Sequence, residues 1–412
     1  MGSRWRRWLG IGAAVGVISA LVPVVQGRIS LDNPLGKLQR ISVSNSQRPP
    51  LDGLDLTRLR LRPERVLSPL ANDRYAELTL DPDVQRAAVS QMKRYRVPEG
   101  GVVMLDVKTG RVIAYASYVH SGEKFDVNVR AEAPAASVFK MVTGATLVEK
   151  AGLNARTEQC YHGGRSRIDA SELEDNPKRD KWCATLAMAM GRSLNVVFAR
   201  LAKKHITPEE LTEMAGAFGF GAPVRFVAEN EPPQINVPDN PLEFARTSAG
   251  FWNSTLSPLA AATMAQTVGN GGVTLEPRIV RSVYAGNKQI WESPDEPVVV
   301  RRAIKPETSE QLRKMMIQTV ASGSAFKSFH DGKGRPFLPG MQIAGKTGTL
   351  TKHKANRHYT WFVGFAPAHD PEVAISALVV NTPLWHIKAP VLARNVLRAY
   401  FAKKGRKGVT AP

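Results

Sequence analysis

Apolar and polar residues follow two different periods along the chain, which separates strand-like from helix-like stretches. Asp81 and Pro82 suit the N-cap and first turn of a helix, which we predict to end near Arg94. The apolar runs over 101–106 and 111–117 are typical of strands. A Lys-Thr-Gly turn lies between them, so the pattern predicts a β-hairpin.

From about residue 134 to 270 the period becomes helical. One helix is predicted from 134–137 to Gly152, and another follows Ser193 and ends near His205. Thr207 and Glu210 have the spacing of a capping box, which predicts a third helix start. A fourth helix is predicted from Ser257 to the Asn-Gly-Gly sequence at 270–272.

After residue 273 the pattern returns to strands, with a hairpin predicted around 285–287 and a helix over 306–321. Strands are predicted over 341–347, 359–365 and 373–380, and a basic amphipathic helix over 388–402. Strands near both ends with helices between them predict an α/β (α+β) sandwich. Its antiparallel five-stranded sheet would be built from both ends of the domain, flanked by helices, with an inserted all-helical subdomain.

The N-terminus has the pattern of an export signal. Three arginines precede an uncharged, mainly apolar stretch over 8–27, about twenty residues long. No small-residue cleavage site is obvious near its end, which favours an uncleaved membrane anchor over a signal peptide. Because basic flanks stay in the cytoplasm, we expect a single-pass protein with its bulk on the periplasmic or extracytoplasmic side. Residues 28–74 lack sustained periodicity and are predicted to be a juxtamembrane linker, packed in part.

Charge and cysteine content narrow the class of partner. The net charge is +20, but the first 70 residues hold eleven Lys or Arg against four Asp or Glu, and the last 25 hold seven against none. The excess therefore belongs mostly to the ends, including a basic tail over 404–412, and no nucleic-acid partner is expected. Cys160 and Cys183 flank a polar segment. They could close it as a disulfide in an oxidising compartment or remain two unrelated thiols.

One serine-lysine pair is a candidate nucleophile and base. Serine and lysine three residues apart lie on one face of a helix, where a desolvated amine can take the serine proton. The spacing occurs at Ser90/Lys93, Ser121/Lys124, Ser137/Lys140 and Ser324/Lys327. Only Ser137 and Lys140 lie in a largely apolar helix, where a lysine needs a chemical reason to be buried. A structural helix start is the alternative for Ser137.

Two further patterns carry polar groups suited to a peptide substrate. Ser193 and Asn195 form the only Ser-x-Asn of the chain, although such a pattern alone is more often a helix cap. Lys346, Thr347 and Gly348, followed by Thr349, lie at a predicted strand, where a cation and hydroxyls can bind a carboxylate. Gly348 would let a substrate backbone approach closely.

Taken in this order, the three motifs resemble those of the penicillin-binding proteins and related serine β-lactamases. The similarity extends to the neighbouring words Pro-Ala-Ala-Ser-Val-Phe-Lys, Arg-Ser-Leu-Asn-Val-Val-Phe-Ala and Ala-Gly-Lys-Thr-Gly-Thr, and to Trp-Phe-Val-Gly-Phe-Ala-Pro over 361–367. The resemblance covers about 75–403, which would be the transpeptidase domain. Ala136 departs from it, because many members have glycine there, and we expect this only to reduce backbone freedom.

The resemblance implies a function and a role for each residue. Ser137 would attack the D-Ala-D-Ala end of a peptidoglycan stem peptide, with Lys140 as general base. Ser193 and Lys346 would move a proton to the leaving amine. Asn195 would orient the stem, and Thr347 and Thr349 would help Lys346 bind the terminal carboxylate. It further implies inhibition by β-lactam antibiotics, membership of a cell-wall synthesis complex, and no metal or organic cofactor.

Three alternatives stay open at this point. The same site could use water as acceptor, giving a D,D-carboxypeptidase or endopeptidase. A serine β-lactamase would need a deacylating carboxylate, for which Glu172 and Glu174 lie in the right stretch. A non-enzymatic β-lactam sensor or scaffold is the third.

Overall fold

The computed structural model describes residues 49–164, 167–352 and 355–409. The helices are α1 (Pro82–Arg94), α2 (Lys140–Glu149), α3 (Leu186–Arg192), α4 (Asn195–His205), α5 (Pro208–Ala217), α6 (Pro241–Ser248), α7 (Pro258–Gly269), α8 (Pro306–Ala321), α9 (Phe326–Phe329) and α10 (Ala389–Val409). The strands are β1 (Arg60–Leu61), β2 (Val66–Pro69), β3 (Arg74–Leu78), β4 (Glu99–Asp106), β5 (Val112–Val119), β6 (Ala133–Pro134), β7 (Glu158–Tyr161), β8 (Trp182–Thr185), β9 (Thr255–Leu256), β10 (Val273–Leu275), β11 (Val280–Ala285), β12 (Lys288–Glu292), β13 (Val299–Arg302), β14 (Ala344–Lys352), β15 (Arg357–Ala366) and β16 (Val373–Asn381).

The main sheet has five antiparallel strands in the order β14-β15-β16-β4-β5. It combines two strands from early in the domain with three from its end, as the hydrophobic pattern predicts. Helices α1 and α10 pack on one face, and α7 packs on the other together with the helices around it. Because both faces are covered, β16 is buried along its whole length and its sequence is mainly apolar.

Several helices begin where side-chain caps predict. Asp81 accepts hydrogen bonds from the N–H groups of Asp83 and Val84, and α1 starts at Pro82. Thr207 and Glu210 form the capping box of α5. Ser257 caps α7, whose every residue is buried, so this helix forms the centre of the domain. These caps satisfy N–H groups that the first turn of a helix leaves without partners.

The part of the predicted juxtamembrane linker that the structure describes, residues 49–74, contains packed strands. Strands β1, β2 and β3 join β11 and β12 in a second five-stranded sheet, with Val66, Ala76 and Val283 in its core. These strands are two to five residues long and rich in Arg and Pro, so they show too few apolar alternations to be recognised. The main sheet therefore packs against a smaller sheet that starts before residue 75.

The inserted region is not all-helical. It contains two-stranded sheets formed by β6 with β9 and by β7 with β8, whereas a third such sheet, β10 with β13, lies after residue 270, where strands were predicted. Each of these strands has two to four residues, too short to interrupt the helical period around it. At the other end of the chain, α10 continues to Val409 and includes residues assigned to the basic tail.

Among the described ranges, no helix combines the length and apolarity needed to cross a bilayer. The predicted membrane anchor over 1–27 lies outside those ranges.

Cys160 and Cys183 form a disulfide across the β7–β8 hairpin, which confirms the bridge and rejects two free thiols. Their separation of 23 residues means that the bond closes a loop of moderate length. We expect a double serine variant to lose about 3 kcal/mol of unfolding free energy, because its unfolded chain regains the entropy of the open loop. Urea denaturation of the two proteins tests this, and equal midpoints would contradict it.

Candidate active site

Ser137 lies in a 3-10 turn, Ala136–Phe139, that leads directly into α2. The preceding Ala136 has a φ of 50°, a left-handed conformation that is costly for alanine. Gly250 packs against this turn, since a Cβ on it would lie 2.4 Å from the Ala136 carbonyl oxygen. The departure at Ala136 is therefore more than a loss of freedom, because it places strain immediately before the candidate nucleophile.

Lys140 lies at the first position of α2 and its side chain is fully buried. Its Nζ lies 2.9 Å from Ser137 Oγ, 2.8 Å from Asn195 Oδ1 and 2.5 Å from the carbonyl oxygen of Ala249. A neutral amine has two N–H donors and one lone pair. Asn195 and Ala249 can accept the two protons, which leaves the lone pair for the Ser137 hydroxyl.

The surroundings of Lys140 favour the neutral form of its amine. Burial lowers the pKa of Lys140 well below its usual range, and the nearby charge of Lys346 lowers it further. No carboxylate contacts the Lys140 amine among the hydrogen bonds and ion pairs of the described residues. A buried amine with a lowered pKa, 2.9 Å from a serine hydroxyl, has the properties that a general base requires.

The second lysine forms a similar contact with the second serine. Lys346 is fully buried on β14, and its Nζ lies 2.9 Å from Ser193 Oγ and 2.9 Å from the Thr347 carbonyl oxygen. Ser193 ends α3 with a φ of 59°, which lets the chain turn so that Asn195 can begin α4. Burial lowers the pKa of Lys346 to about 7. The structure thus brings Ser137, Lys140, Ser193, Asn195 and Lys346 into two linked clusters.

Strand β14 begins and ends later than the sequence predicted, which places further polar residues beside the site. It starts at Ala344 rather than at 341 and continues past Thr349 to Lys352. The extension is polar and pairs with the first residues of β15, so an apolar pattern could not reveal it. Thr349 is exposed and lines a cavity of about 540 Å³ together with Ser137 and Asn195.

Gly348 connects β14 to the turn that carries Ser137. A Cβ on it would lie 3.1 Å from the Trp361 ring and 3.3 Å from the Ala135 carbonyl oxygen. Trp361 is fully buried and donates from Nε1 to the carbonyl oxygen of Pro134. Because Gly348 has no side chain, β14 can pack closely on the Ser137 turn. This role was not expected from the sequence.

Some groups at the site were not predicted. The carbonyl of Ala249 and the backbone of Gly250 contact the Ser137–Lys140 unit, and no side-chain pattern signals either of them. Ser324, which belongs to one of the rejected serine-lysine pairs, lies 2.5 Å from Thr347 Oγ1. The second Lys-Thr-Gly, by contrast, is the β4–β5 turn, where the Asp106 side chain binds the N–H groups of Lys108 and Thr109.

Comparisons with known proteins agree with this geometry. A family model described as the penicillin binding protein transpeptidase domain matches residues 100–397. The peptidoglycan D,D-transpeptidase PbpA of Mycobacterium tuberculosis is 29% identical over 348 residues, which cover 74% of this chain and 67% of that protein. Stage V sporulation protein D of Bacillus subtilis is 25% identical over 356 residues, covering 81% of this chain and 50% of that protein.

A solved structure has the same fold. Penicillin-binding protein A from M. tuberculosis, in its imipenem acyl-enzyme complex, matches with a TM-score of 0.62 and 25% identity, covering 79% of each chain. This chain spans between half and about two thirds of the length of the two curated relatives. Because the family model covers most of the catalytic sheet and all of the motif residues, the chain belongs to the penicillin-binding protein transpeptidase family.

Proposed function

We propose that the chain is a peptidoglycan D,D-transpeptidase that is acylated at Ser137 by stem peptides ending in D-Ala-D-Ala. The observation that carries this proposal is the pair of fully buried lysines, Lys140 at Ser137 and Lys346 at Ser193, each at 2.9 Å. A desolvated amine beside each hydroxyl supplies one proton acceptor for the attack and one proton donor for the leaving group. The names of the relatives and the acyl-enzyme complex of the M. tuberculosis protein support it.

The acylation step uses both clusters. Ser137 Oγ attacks the penultimate D-Ala carbonyl carbon while Lys140 Nζ takes the hydroxyl proton. Ser193 passes its proton to the nitrogen of the departing D-Ala and takes one from protonated Lys346. The N–H groups of Ser137 and Thr349 stabilise the negative oxygen, each contributing about 3 kcal/mol by comparison with measured oxyanion holes.

Substrate binding uses the remaining motif residues. Asn195 offers its Nδ2 to the stem backbone, because its Oδ1 already accepts from Lys140. Protonated Lys346 with Thr347 and Thr349 binds the terminal carboxylate. A β-lactam antibiotic, which has an acyl group and a carboxylate, occupies the same positions and acts as an inhibitor.

The competing outcomes differ in the acceptor. A D,D-carboxypeptidase would use the same residues with water. A β-lactamase would need a free carboxylate near Ser137. The oxygens of Glu172 are occupied, because Oε1 accepts from Gly164 N at 2.9 Å and Oε2 from Asp169 N at 3.0 Å. Glu174 forms an ion pair with Lys203.

A product assay with the full chain tests the proposal. We expect a donor peptide ending in D-Ala-D-Ala to release D-Ala and to appear in a new amide with an added amine acceptor. Ser137→Ala should give neither product. Hydrolysis alone in the presence of the acceptor would favour the carboxypeptidase, and rapid turnover of penicillin would favour the β-lactamase.

The lowered pKa values predict a pH profile for acylation by penicillin. The reactive form needs Lys140 neutral and Lys346 protonated, because the first takes a proton and the second binds a carboxylate. The pKa of Lys346 is about 7, so the second-order rate constant should fall as pH rises through that value. Stopped-flow measurements from about pH 5 to about pH 9 test this. Lys346→Met should lack the falling limb, and its persistence would contradict the assignment.

We further propose that residues 1–27 anchor the protein in the membrane and that residues 75–403 are the catalytic domain, on the periplasmic or extracytoplasmic side. The basic residues before the apolar stretch support this orientation, and the Cys160–Cys183 disulfide supports an oxidising compartment. A cell-wall synthesis complex is the partner such a placement favours.

A further inference from the structure

A second cavity, of about 880 Å³, lies beside the active site on the side of Ser193. Ser193 lines this cavity, whereas Ser137 and Thr349 line the first one. Arg167 and Asn195 line both, so the two cavities are neighbours that share a wall. None of the steps described above uses the second cavity.

The charged side chains of the second cavity are of two kinds. Its carboxylates already have partners. Glu172 accepts hydrogen bonds from two backbone N–H groups, and Asp169 lies 3.8 Å from Arg246. Its arginines, Arg167 and Arg192, are exposed and make no side-chain hydrogen bond or ion pair with the rest of the described chain. The side chains available to a ligand are therefore cationic, and arginine favours carboxylates.

An aromatic wall completes the cavity. Trp182 is 60% exposed, unusually high for tryptophan, and its ring lies 6.2 Å from that of Tyr161 on the facing strand. The neighbouring residue pair of the same two strands, Cys160 and Cys183, forms the disulfide. The strands that carry the two rings are therefore covalently linked. An exposed ring on a covalently closed hairpin offers apolar contact without a large loss of conformational entropy.

We infer that this cavity binds the acceptor, an amine-bearing peptide with a carboxylate farther along its chain. The inference rests on the proposed transpeptidase function. The attacking amine must occupy the position that the departing amine has left, because both are attached to the same carbonyl carbon. Ser193 exchanges a proton with the amine at that position, and it lines the second cavity. The acceptor amine therefore lies at Ser193, its carboxylate at Arg192 and Arg167, and its apolar part on Trp182.

The step balances without a further reactant. The acceptor nitrogen forms a bond to the ester carbonyl carbon of the acyl-enzyme and gives up one proton through Ser193 and Lys346. The carbon–Oγ bond to Ser137 then breaks, and Oγ regains a proton from Lys140. The products are a new amide and free Ser137, and both lysines are back in their starting protonation states, because aminolysis reverses the proton transfers of acylation.

Partitioning of the acyl-enzyme between amine and water tests this inference. The full chain is acylated by a thioester donor in the presence of triglycine or triglycine amide, which differ in the carboxylate. The ratio of aminolysis to hydrolysis is independent of the acylation rate, because both products come from one intermediate. Arg192→Gln, Arg167→Gln and Trp182→Ala are compared with Arg179→Gln, an exposed arginine of the same segment that does not line the cavity.

We expect the unsubstituted protein to prefer triglycine to its amide by about tenfold, the effect of one charge-assisted hydrogen bond. Arg192→Gln and Arg167→Gln should reduce that preference, Trp182→Ala should lower aminolysis by both acceptors, and Arg179→Gln should change nothing. If the arginine variants lost aminolysis equally with both acceptors, the substitutions would have disturbed Ser193. That result would overturn the carboxylate contact. Unchanged ratios in all variants would overturn the acceptor site while leaving the transpeptidase intact. Failure of the unsubstituted chain to be acylated would instead overturn the proposed function.

Discussion

Lys140→Met is expected to reduce acylation of Ser137 by about 10³-fold, because general bases typically contribute between 10² and 10⁴. Methionine has a similar length and is apolar, so it can fill the fully buried space of the lysine side chain. It cannot take the hydroxyl proton. The acyl-enzyme formed with a fluorescent penicillin gives the rate, and thermal unfolding of the same sample gives the stability.

The stability of this variant separates chemistry from folding. The carbonyl of Ala249 and Oδ1 of Asn195 lose the Lys140 donor, and each lost bond costs about 1–3 kcal/mol. Lys150→Met is the matched control, because Lys150 follows the same helix and pairs with Glu213 on the surface. It should leave acylation unchanged. A Lys140→Met protein that acylates within about tenfold of the original rate would contradict the assignment of Lys140 as base.

Gly250→Ala should be the most damaging single-carbon change near the site. Its φ of 82° makes any side chain costly, by about 1–2 kcal/mol. The new Cβ would also lie 2.4 Å from the Ala136 carbonyl oxygen and 3.0 Å from Ser137 Cα. The turn must therefore move, and a displacement of the nucleophile by about 1 Å can cost 10²-fold in rate.

Gly122→Ala separates backbone strain from displacement of Ser137. Gly122 has a φ of 83°, almost the same as Gly250, but a Cβ added to it would have no atom within 4 Å. We expect similar strain in both variants and a loss of acylation only in Gly250→Ala. Equal acylation rates in the two variants would show that Gly250 does not position Ser137.

Long, regular elements were predictable from the sequence because burial and capping act locally. Strands β15 and β16 are mainly apolar and mostly buried, and α8 occupies the predicted range. The hairpin of β11 and β12 was predicted, but β1, β2 and β3 of the second sheet were missed because they are short and join the sheet through β11, about 200 residues later. Such pairing depends on tertiary contact rather than local pattern.

The same distinction applies to the site. The sequence motifs identified Ser137, Lys140, Ser193 and Lys346, because the role of each residue requires a particular side-chain group. The contribution of Ala249 comes from its carbonyl, which every residue has, so no sequence pattern marks it. The strained φ of Ala136 is likewise a property of the surrounding fold, because Gly250 and β14 confine the turn.

Mapping the covalent adduct of a fluorescent penicillin tests directly whether Ser137 is the nucleophile. The full chain is labelled and digested, and the labelled peptide is sequenced by mass spectrometry, with Ser137→Ala and Ser90→Ala alongside. Ser90 has the same spacing to a lysine but lies exposed on α1. We expect a persistent adduct on Ser137 that Ser90→Ala retains and Ser137→Ala lacks. An adduct on another residue, or none on the unsubstituted chain, would contradict it.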